Sequence, residues 1–367
     1  MRTDTLIYGI VFAILPFLGC CGDGTDREDL SAKEPLFTGM FHDVLDNLME
    51  NFWVGNGNWR GDAQGDDVAF SPWLFYSMGE DQGIPQFTSM ATQTVNYEVA
   101  QLEKFFSGRM WNPVKIMKAI LGGPALIDGY RFVQNPLYLE WADKGLGFAT
   151  GVAVIFPQLL TPFVLDPVVV VGVAADLDFD LYGVTLDPRY LQWGLAAMDV
   201  AEKRFWNEHA GYYGDRLWDW PEATMLMALA AAYRLIGSPV YRQRAEALIH
   251  TTDRELWDSI DLGYYGHDPV IEHSKALSGN NIFARAMLDW YEVTGDSFYW
   301  ERTIDILAFV EKVLYHDRII WHHWTATEGC AKEFCTGCNL MTLGNIYRLN
   351  RLRETPIVKN SCASWPR

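Results

Sequence analysis

Apolar and polar positions follow one another along this chain in helical stretches of two kinds. Amphipathic stretches that end in aromatic or large apolar residues are predicted at 35–52, 84–106, 136–148, 188–205, 239–256 and 297–314. Stretches that are richer in apolar and small residues are predicted between them, at 67–78, 113–132, 155–181, 222–236, 280–293 and 335–349. The clearest of these, 222–236, is apolar nearly all round and must be covered on every side. The pattern predicts six inner helices surrounded by six outer helices.

A repeat in the second half of the chain supports this arrangement. The block Gly-Tyr-Tyr-Gly occurs at 211–214 and again at 263–266, so the two blocks begin 52 residues apart. Each block is followed by an apolar helix that ends in Tyr-x-x-x-Gly and a capping residue. A period of this length indicates a repeated helical hairpin, and stacked hairpins present one set of loops on one face.

Prolines mark several predicted helix starts. Proline lacks a backbone N–H, and this costs nothing in the first turn because an N–H there has no partner within the helix. Asn135, Asp187 and Ser238 precede three such prolines and are predicted to cap the helices. The inner stretch 155–181 is the least regular. It combines prolines with β-branched runs such as 168–171, so it predicts no definite structure.

The composition bounds the architecture and the partners. The chain has 367 residues, of which 49% are hydrophobic, so one large domain over 35–367 is expected after a flexible linker at 21–34. The net charge is −18 and the pI is about 4.8. Nucleic acids and anionic membrane surfaces are therefore poor partners.

The N-terminal residues 1–20 are typical of a lipoprotein-type signal peptide. An apolar run is followed by Phe17-Leu18-Gly19-Cys20, so Cys20 would be lipidated after cleavage. A plain signal peptide and an uncleaved anchor are the alternatives. We expect an exported protein, periplasmic or on the cell surface, that touches a membrane only through this anchor.

Export changes how the remaining cysteines are interpreted. Cys330, Cys335, Cys338 and Cys362 form an even set, and an oxidising compartment predicts two disulfides among them. The alternative is a zinc site in which Cys330, Cys335 and Cys338 act with His322 or His323. The disulfides are the preferred interpretation, with no cofactor and no resident metal.

The helical pattern, a tryptophan shortly before each Gly-Tyr-Tyr, and the Tyr-x-x-x-Gly-[Ser/Asp]-x-x-Tyr hairpin ends resemble the six-hairpin (α/α)6 toroids. This superfamily includes N-acylglucosamine 2-epimerase-like proteins, many glycoside hydrolases and the C-terminal half of some thioredoxin-domain proteins. The resemblance implies an all-α (α/α)6 toroid and favours a carbohydrate substrate. It does not fix the chemistry.

Loops that enter the inner helices of such a ring would line a common funnel. The first contains Trp59 and the adjacent carboxylates of Asp66 and Asp67, which can supply an acid and a base. Mannan-degrading relatives carry an Asp-Asp pair on this fold. The alternative is that Asp66 only caps the helix opened by Asp67.

The repeat loops add aromatic and acidic groups. Trp218, Trp220, Tyr212 and Tyr264 offer flat faces for stacking on a sugar ring, and Glu222 is a second candidate carboxylate. Ordinary helix-start chemistry explains Glu222 equally well.

The fifth and sixth loops mix titratable and amide groups. Candidates there are Glu272, His273 and Asn281, followed by His323 and Trp324. The resemblance to epimerases implies that His273 and His323 act as an acid and base pair. Hydrolysis instead needs two carboxylates about 5–10 Å apart, with Asp66 or Asp67 opposite Glu222 or Glu272.

The preferred hypothesis is a monomeric glycoside hydrolase with an acidic, aromatic-lined funnel. Three alternatives remain open: a sugar epimerase or isomerase, a non-catalytic glycan-binding lipoprotein, and a terpenoid cyclase-like enzyme. The last is suggested by Asp176-x-Asp178-x-Asp180, although the motif differs from the usual Asp-x-Asp-Asp.

Overall fold

The structure is a computed structural model and describes residues 35–60, 71–107, 113–155, 166–266, 274–325 and 329–354. These residues belong to one compact unit that begins at Glu34. The outer helices are α1 (Thr38–Asn51), α3 (Pro85–Ser107), α5 (Pro136–Ile155), α7 (Pro188–Val200), α9 (Pro239–Glu255) and α11 (Ser297–Phe309). The inner helices are α2 (Ser71–Gln82), α4 (Pro113–Val133), α6 (Pro167–Thr185), α8 (Asp219–Ile236), α10 (Leu277–Thr294) and α12 (Thr336–Glu354).

The inner helices form a closed ring. Each inner helix packs against the next along the chain, and α12 packs back against α2. The apolar helix α8 is covered on nearly all sides, with every residue from Pro221 to Ala232 buried. The predicted all-α (α/α)6 toroid is therefore confirmed.

Short strands lie in the connections from an outer helix to the next inner helix. They are β1 (Trp53–Gly55), β2 (Asn58–Trp59), β3 (Trp206–Asn207), β4 (Tyr212–Tyr213), β5 (Ser274–Ala276), β6 (Tyr315–His316), β7 (Ile319–Thr325) and β8 (Gly329–Phe334). β1 pairs with β2 and β3 with β4, while β7 pairs with β5, β6 and β8, always antiparallel. Each strand precedes the start of an inner helix in the chain, and we call the end of the ring where the inner helices begin its entry end.

Helix α6 occupies much of the stretch for which the sequence predicted no definite structure. Asp166 caps it by accepting a hydrogen bond from the N–H of Val168 at 2.8 Å, and Pro167 stands at its first turn. The β-branched run Val168–Val171 is helical and buried. Burial against the neighbouring helices outweighs the small helix propensity cost of valine.

Two of the three predicted caps are present. Asp187 accepts from the N–H of Arg189 at 2.9 Å, and Asn135 accepts from the N–H of Leu137 at 3.1 Å. The prediction for Ser238 is wrong, since its side chain makes no capping hydrogen bond to α9. Pro239 already removes one of the amides that would need a partner there.

A glycine sets the closeness of α6 and α8. A Cβ placed on Gly172 would lie 2.9 Å from Oγ1 of Thr224 and 3.1 Å from the backbone carbon of Thr224. No larger residue fits without separating the two helices. The sequence signal for this contact is a single glycine in a run of valines.

Candidate functional site

The entry loops repeat one aromatic arrangement three times. Trp206 meets Tyr213, Trp257 meets Tyr264, and Trp53 meets Trp59, each edge to face with ring centroids 4.9 Å apart. Trp59 also stacks on Phe75 and is only 5% exposed. The faces of Trp59 and Tyr264 are therefore used for packing the loops. Tyr212, whose side chain alternates with that of Tyr213 on β4, is half-buried.

A buried side chain near the start of each of three inner helices holds the preceding loop. Asn280 accepts a hydrogen bond from the N–H of Tyr264 at 2.7 Å and donates to its carbonyl at 3.0 Å. Asn339 does the same for Ile320, at 3.0 and 2.8 Å. Glu222 takes this place on α8, accepting from the N–H of Tyr213 at 3.3 Å.

The environment of Glu222 favours a loop-holding role. The side chain is fully buried, and burial raises its pKa well above the usual value. A protonated carboxyl can accept through one oxygen and donate through the other, as an amide does. Glu222 thus occupies the position that asparagine fills on α10 and α12.

The two predicted tryptophans at the start of α8 make different contacts. Nε1 of Trp220 lies 3.3 Å from Oγ of Ser278, which joins α8 to α10. The ring of Trp218 is covered by the guanidinium of Arg216 at 3.7 Å. Asp219 stands between these two tryptophans in the sequence, and burial raises its pKa to about 7. Hydrogen bonds from the N–H of Trp220 and from its own N–H act in the opposite direction and lower the pKa.

The hairpin of β7 and β8 carries the predicted imidazole. Nδ1 of His323 lies 3.0 Å from a carboxylate oxygen of Glu333 and 2.9 Å from Nδ1 of His322. Burial lowers the pKa of His322 to about 4. The next residue on β7 is Trp324, whose ring lies 5.0 Å from Nζ of Lys275. The ammonium of Lys275 is fully buried and forms a salt bridge with Asp258 at 2.7 Å.

Asn281 is placed inside the ring wall. Its Nδ2 donates to the carbonyl of Cys338 at 2.8 Å, and its Oδ1 accepts from Thr342 at 2.9 Å. The side chain therefore joins α10 to α12. Four further candidates, Asp66, Asp67, Glu272 and His273, lie outside the described residues.

A charged cavity lies between the inner helices. This cavity, which we call the axial cavity, measures about 480 Å³ and takes side chains from all six inner helices. Its charged lining consists of Glu80, Asp128, Arg131, Asp176, Asp180, Arg234, Arg285, Asp289, Glu292, Arg348 and Arg351. None of the described residues predicted for a carbohydrate site lines it; Asp176 and Asp180, noted above only for the terpenoid cyclase-like alternative, do. A volume of this size suits a small sugar.

Two carboxyls of the axial cavity have raised pKa values. Burial raises the pKa of Asp128 to about 6, against the lowering effect of Arg131. Burial raises the pKa of Asp176 to about 8, and the neighbouring carboxyl of Asp180 raises it further while Arg285 lowers it. Carboxyls whose pKa values are separated in one cavity can serve as base and acid.

The arginines differ in how fully they are engaged. Arg348 pairs with both Asp289 and Glu292, the latter at 2.9 Å. Among the described acidic side chains, Arg285 contacts only the carboxyl group of Asp176 within 4 Å, at 3.7 Å. Its guanidinium therefore has N–H groups available for a ligand.

The acidic motif of α6 is divided between two faces. Asp176 and Asp180, four residues apart, both line the axial cavity, as neighbours on one helix face do. Asp178 instead accepts from Oγ1 of Thr150 on α5 at 2.7 Å. The three carboxyls do not share one site. Charged residues spaced by four within apolar helices were the sequence signal for the cavity.

Comparison with solved structures agrees with the fold. The chain is similar to a GH76 α-mannanase from Bacteroides thetaiotaomicron, with 14% identity, a TM-score of 0.63, and coverage of 86% of this chain and 96% of that one. It is similar to a cellobiose 2-epimerase from Bacillus thermoamylovorans, with 12% identity, a TM-score of 0.61, and coverage of 85% of this chain and 99% of that one. It is also similar to a D-mannose isomerase, with 11% identity, a TM-score of 0.65, and coverage of 89% of this chain and 100% of that one. The chain is an (α/α)6 toroid. No protein-family model and no curated protein matches it.

The predicted disulfides gain no support, and the predicted lipid anchor is not tested because residues 1–20 lie outside the described ranges. Among the cysteines that the structure describes, no disulfide is formed, and Cys362 and Cys20 lie outside those residues. None of the helices in the described ranges combines the length and apolar character needed to span a bilayer.

Proposed function

We propose that this protein is a carbohydrate-active enzyme that hydrolyses a glycosidic bond in the axial cavity. The observation that carries the proposal is the pair of buried carboxyls, Asp128 and Asp176, whose pKa values lie on either side of neutrality in one cavity. The solved structures that share its fold include a mannanase, an epimerase and an isomerase. Their names support a carbohydrate as the ligand.

The two carboxyls suit different parts of the reaction. Asp176, protonated near pH 7, donates its proton to the glycosidic oxygen as the bond to the sugar carbon breaks. Asp128, ionised above about pH 6 and held by Arg131 at 2.8 Å, takes a proton from the water that adds to that carbon. Solvent then returns both groups to their starting states.

Other cavity residues bind rather than react. Arg285 has N–H groups available for a sugar hydroxyl or carboxylate, since among the described carboxyls only that of Asp176 lies within 4 Å of its guanidinium. Trp73 and Met227 supply apolar surface on α2 and α8. A cavity lined by charged side chains of both signs favours a polar, hydroxyl-rich ligand over a hydrocarbon.

The test uses two carboxyls of one helix. Asp176→Asn should lower turnover of natural glycosides by about 10²–10⁴-fold. Asp178→Asn changes an equally buried carboxyl that bonds Thr150 outside the cavity, so it should leave turnover nearly unchanged. Aryl glycosides with good leaving groups should restore much of the rate of Asp176→Asn, because they need no general acid.

The same assay decides between the two ends of the ring. The Asp66 and Asp67 pair remains a prediction for catalysis at the entry end. If Asp66→Asn with Asp67→Asn abolishes hydrolysis while Asp176→Asn does not, the reaction belongs there and the axial proposal fails. If glycans bind but no variant or wild-type protein turns them over, the protein is a glycan-binding protein.

Epimerisation is the second candidate, and the position of His323 favours it. This imidazole contacts both Glu333 and His322 at the entry end, and such contacts orient the ring and set its tautomer. His273, its predicted partner, lies outside the described residues. Loss of sugar isomerisation in His323→Ala and His273→Ala, with Asp176→Asn still active, would establish this function.

We also propose export with a lipid anchor at Cys20, and a monomeric state. The supporting observations are the apolar run and the cysteine that follows it. Labelling with a radioactive fatty acid should modify the wild-type protein and not Cys20→Ala. Failure to label the wild-type protein, with an N-terminus intact at Met1, would contradict the proposal.

A further inference from the structure

Three soft donor side chains meet where the β7–β8 hairpin reaches α12. His322 lies on β7, and Cys335 and Cys338 stand at the start of α12. One ligand atom from each of the three lies within 4.8 Å of the others. Thiolate sulfur and imidazole nitrogen are the donors that zinc prefers in tetrahedral sites.

The backbone around these donors is held in place. The ladder between β7 and β8 shifts register between Trp321 and His323, so His322 lies at a bulge, which can re-aim a side chain. The carbonyl of Cys335 accepts from Asn339 at 2.9 Å, and the carbonyl of Cys338 accepts from Asn281 at 2.8 Å. The backbone of both cysteines is thus held by side chains of α10 and α12.

The sulfur of Cys335 stands next to a backbone N–H at the start of α12. The sulfur of Cys335 accepts a hydrogen bond from the N–H of Cys338 at 3.1 Å. The Nδ1 of His322 faces His323 at 2.9 Å, which leaves Nε2 as the nitrogen for a metal and gives the ring a partner that orients it.

We propose that His322, Cys335 and Cys338 bind one zinc ion that fastens the β7–β8 hairpin to the start of α12. Water completes the tetrahedron. Cys330 is not one of the ligands, in contrast to the sequence-based alternative that included it. The site does not depend on the proposed hydrolase activity, because none of its ligands lines the axial cavity.

The test measures metal in the full-length protein purified with a reductant. Wild type and Cys330→Ser should each contain about one zinc per chain, whereas Cys335→Ser, Cys338→Ser and His322→Ala should contain almost none. Cobalt(II) added to the metal-free wild type should give the intense visible bands of a tetrahedral site and a sulfur-to-cobalt charge-transfer band. Chelation should lower the Tm of wild type and Cys330→Ser alike.

The wild-type measurements stand even where a variant fails to fold. A reduced wild-type protein that holds no zinc as purified, and that gives no sulfur-to-cobalt band on titration, overturns the proposal. A disulfide between Cys335 and Cys338 that persists in the protein as isolated from cells also overturns it. Equal zinc loss in Cys330→Ser would show that the ligand set is wrong.

Discussion

The side-chain amide of Asn280 satisfies both backbone polar groups of Tyr264, accepting from its N–H at 2.7 Å and donating to its carbonyl at 3.0 Å. The same relationship joins Asn339 to Ile320. Through these contacts the inner helices fix the loops at the entry end. The positions of these loops are therefore set by buried side-chain amides near the starts of α10 and α12.

Removing the Asn280 amide should destabilise the protein by about 2–4 kcal/mol, because two buried backbone groups lose their partner. Urea unfolding at pH 7 would measure the free energy of unfolding of Asn280→Ala. The control is Asn51→Ala, an exposed residue of α1, for which we expect a change within about 0.5 kcal/mol. Equal effects of the two substitutions would contradict the loop-holding role.

Glu222→Gln should stabilise the protein increasingly as the pH rises. Burial raises the pKa of Glu222 in the folded state, so the wild type loses stability as the pH climbs from the ordinary carboxyl value towards the folded one. Glutamine removes this dependence and keeps the hydrogen bond to Tyr213. Thermal unfolding at pH 4.5 and pH 8 would show the gain at pH 8 alone. A folded Glu222→Gln protein without activity would instead assign this carboxyl to catalysis.

Gly172→Ala should lower stability, since its Cβ would lie 2.9–3.1 Å from Thr224 on the neighbouring helix. We expect a loss of about 1–3 kcal/mol. Gly183→Ala is the matched control on the same helix, where a Cβ meets nothing within 4 Å. It should gain up to about 1 kcal/mol from its higher helix propensity. Similar Tm shifts for both would refute the close α6–α8 contact.

Lys275→Met should cost about 3–5 kcal/mol, because it leaves the buried Asp258 without its cation. Burial would raise the pKa of Asp258, but hydrogen bonds from Lys275, Tyr265 and two backbone N–H groups hold it well below the usual value. The stabilisation is present above pH 4 and lost as the pH falls further, about where an unfolded aspartate titrates. Lys203→Met breaks the exposed pair with Asp199 and should cost at most about 1 kcal/mol at pH 7.

Hydrolysis should depend on pH with a maximum near neutrality. The base Asp128 must be ionised, so kcat/KM should fall below about pH 6, and the acid Asp176 must be protonated, so it should fall above about pH 8. Asp128→Asn should lower the rate and remove the acidic limb. If the pH profile of kcat/KM kept its shape in both Asp128→Asn and Asp176→Asn, these carboxyls would not be the acid and base of the reaction.

Helical periodicity, prolines at helix starts and the Gly-Tyr-Tyr-Gly repeat determined the six hairpins, because these signals act over short stretches of chain. The one inner helix without a definite prediction, α6, is stabilised by burial that a local pattern does not contain.

The placement of side chains was decided by the tertiary structure. Asn281 and Glu222 bear groups that suit a ligand, yet ring closure points them at neighbouring backbone. Asp128, Asp176 and Arg285 come from three helices and form one cavity only after the ring closes. Local periodicity determines which residues of each helix face the inside of the ring. The rotation of each helix about its axis, and its position along the axis of the ring, determine which of these residues come into contact.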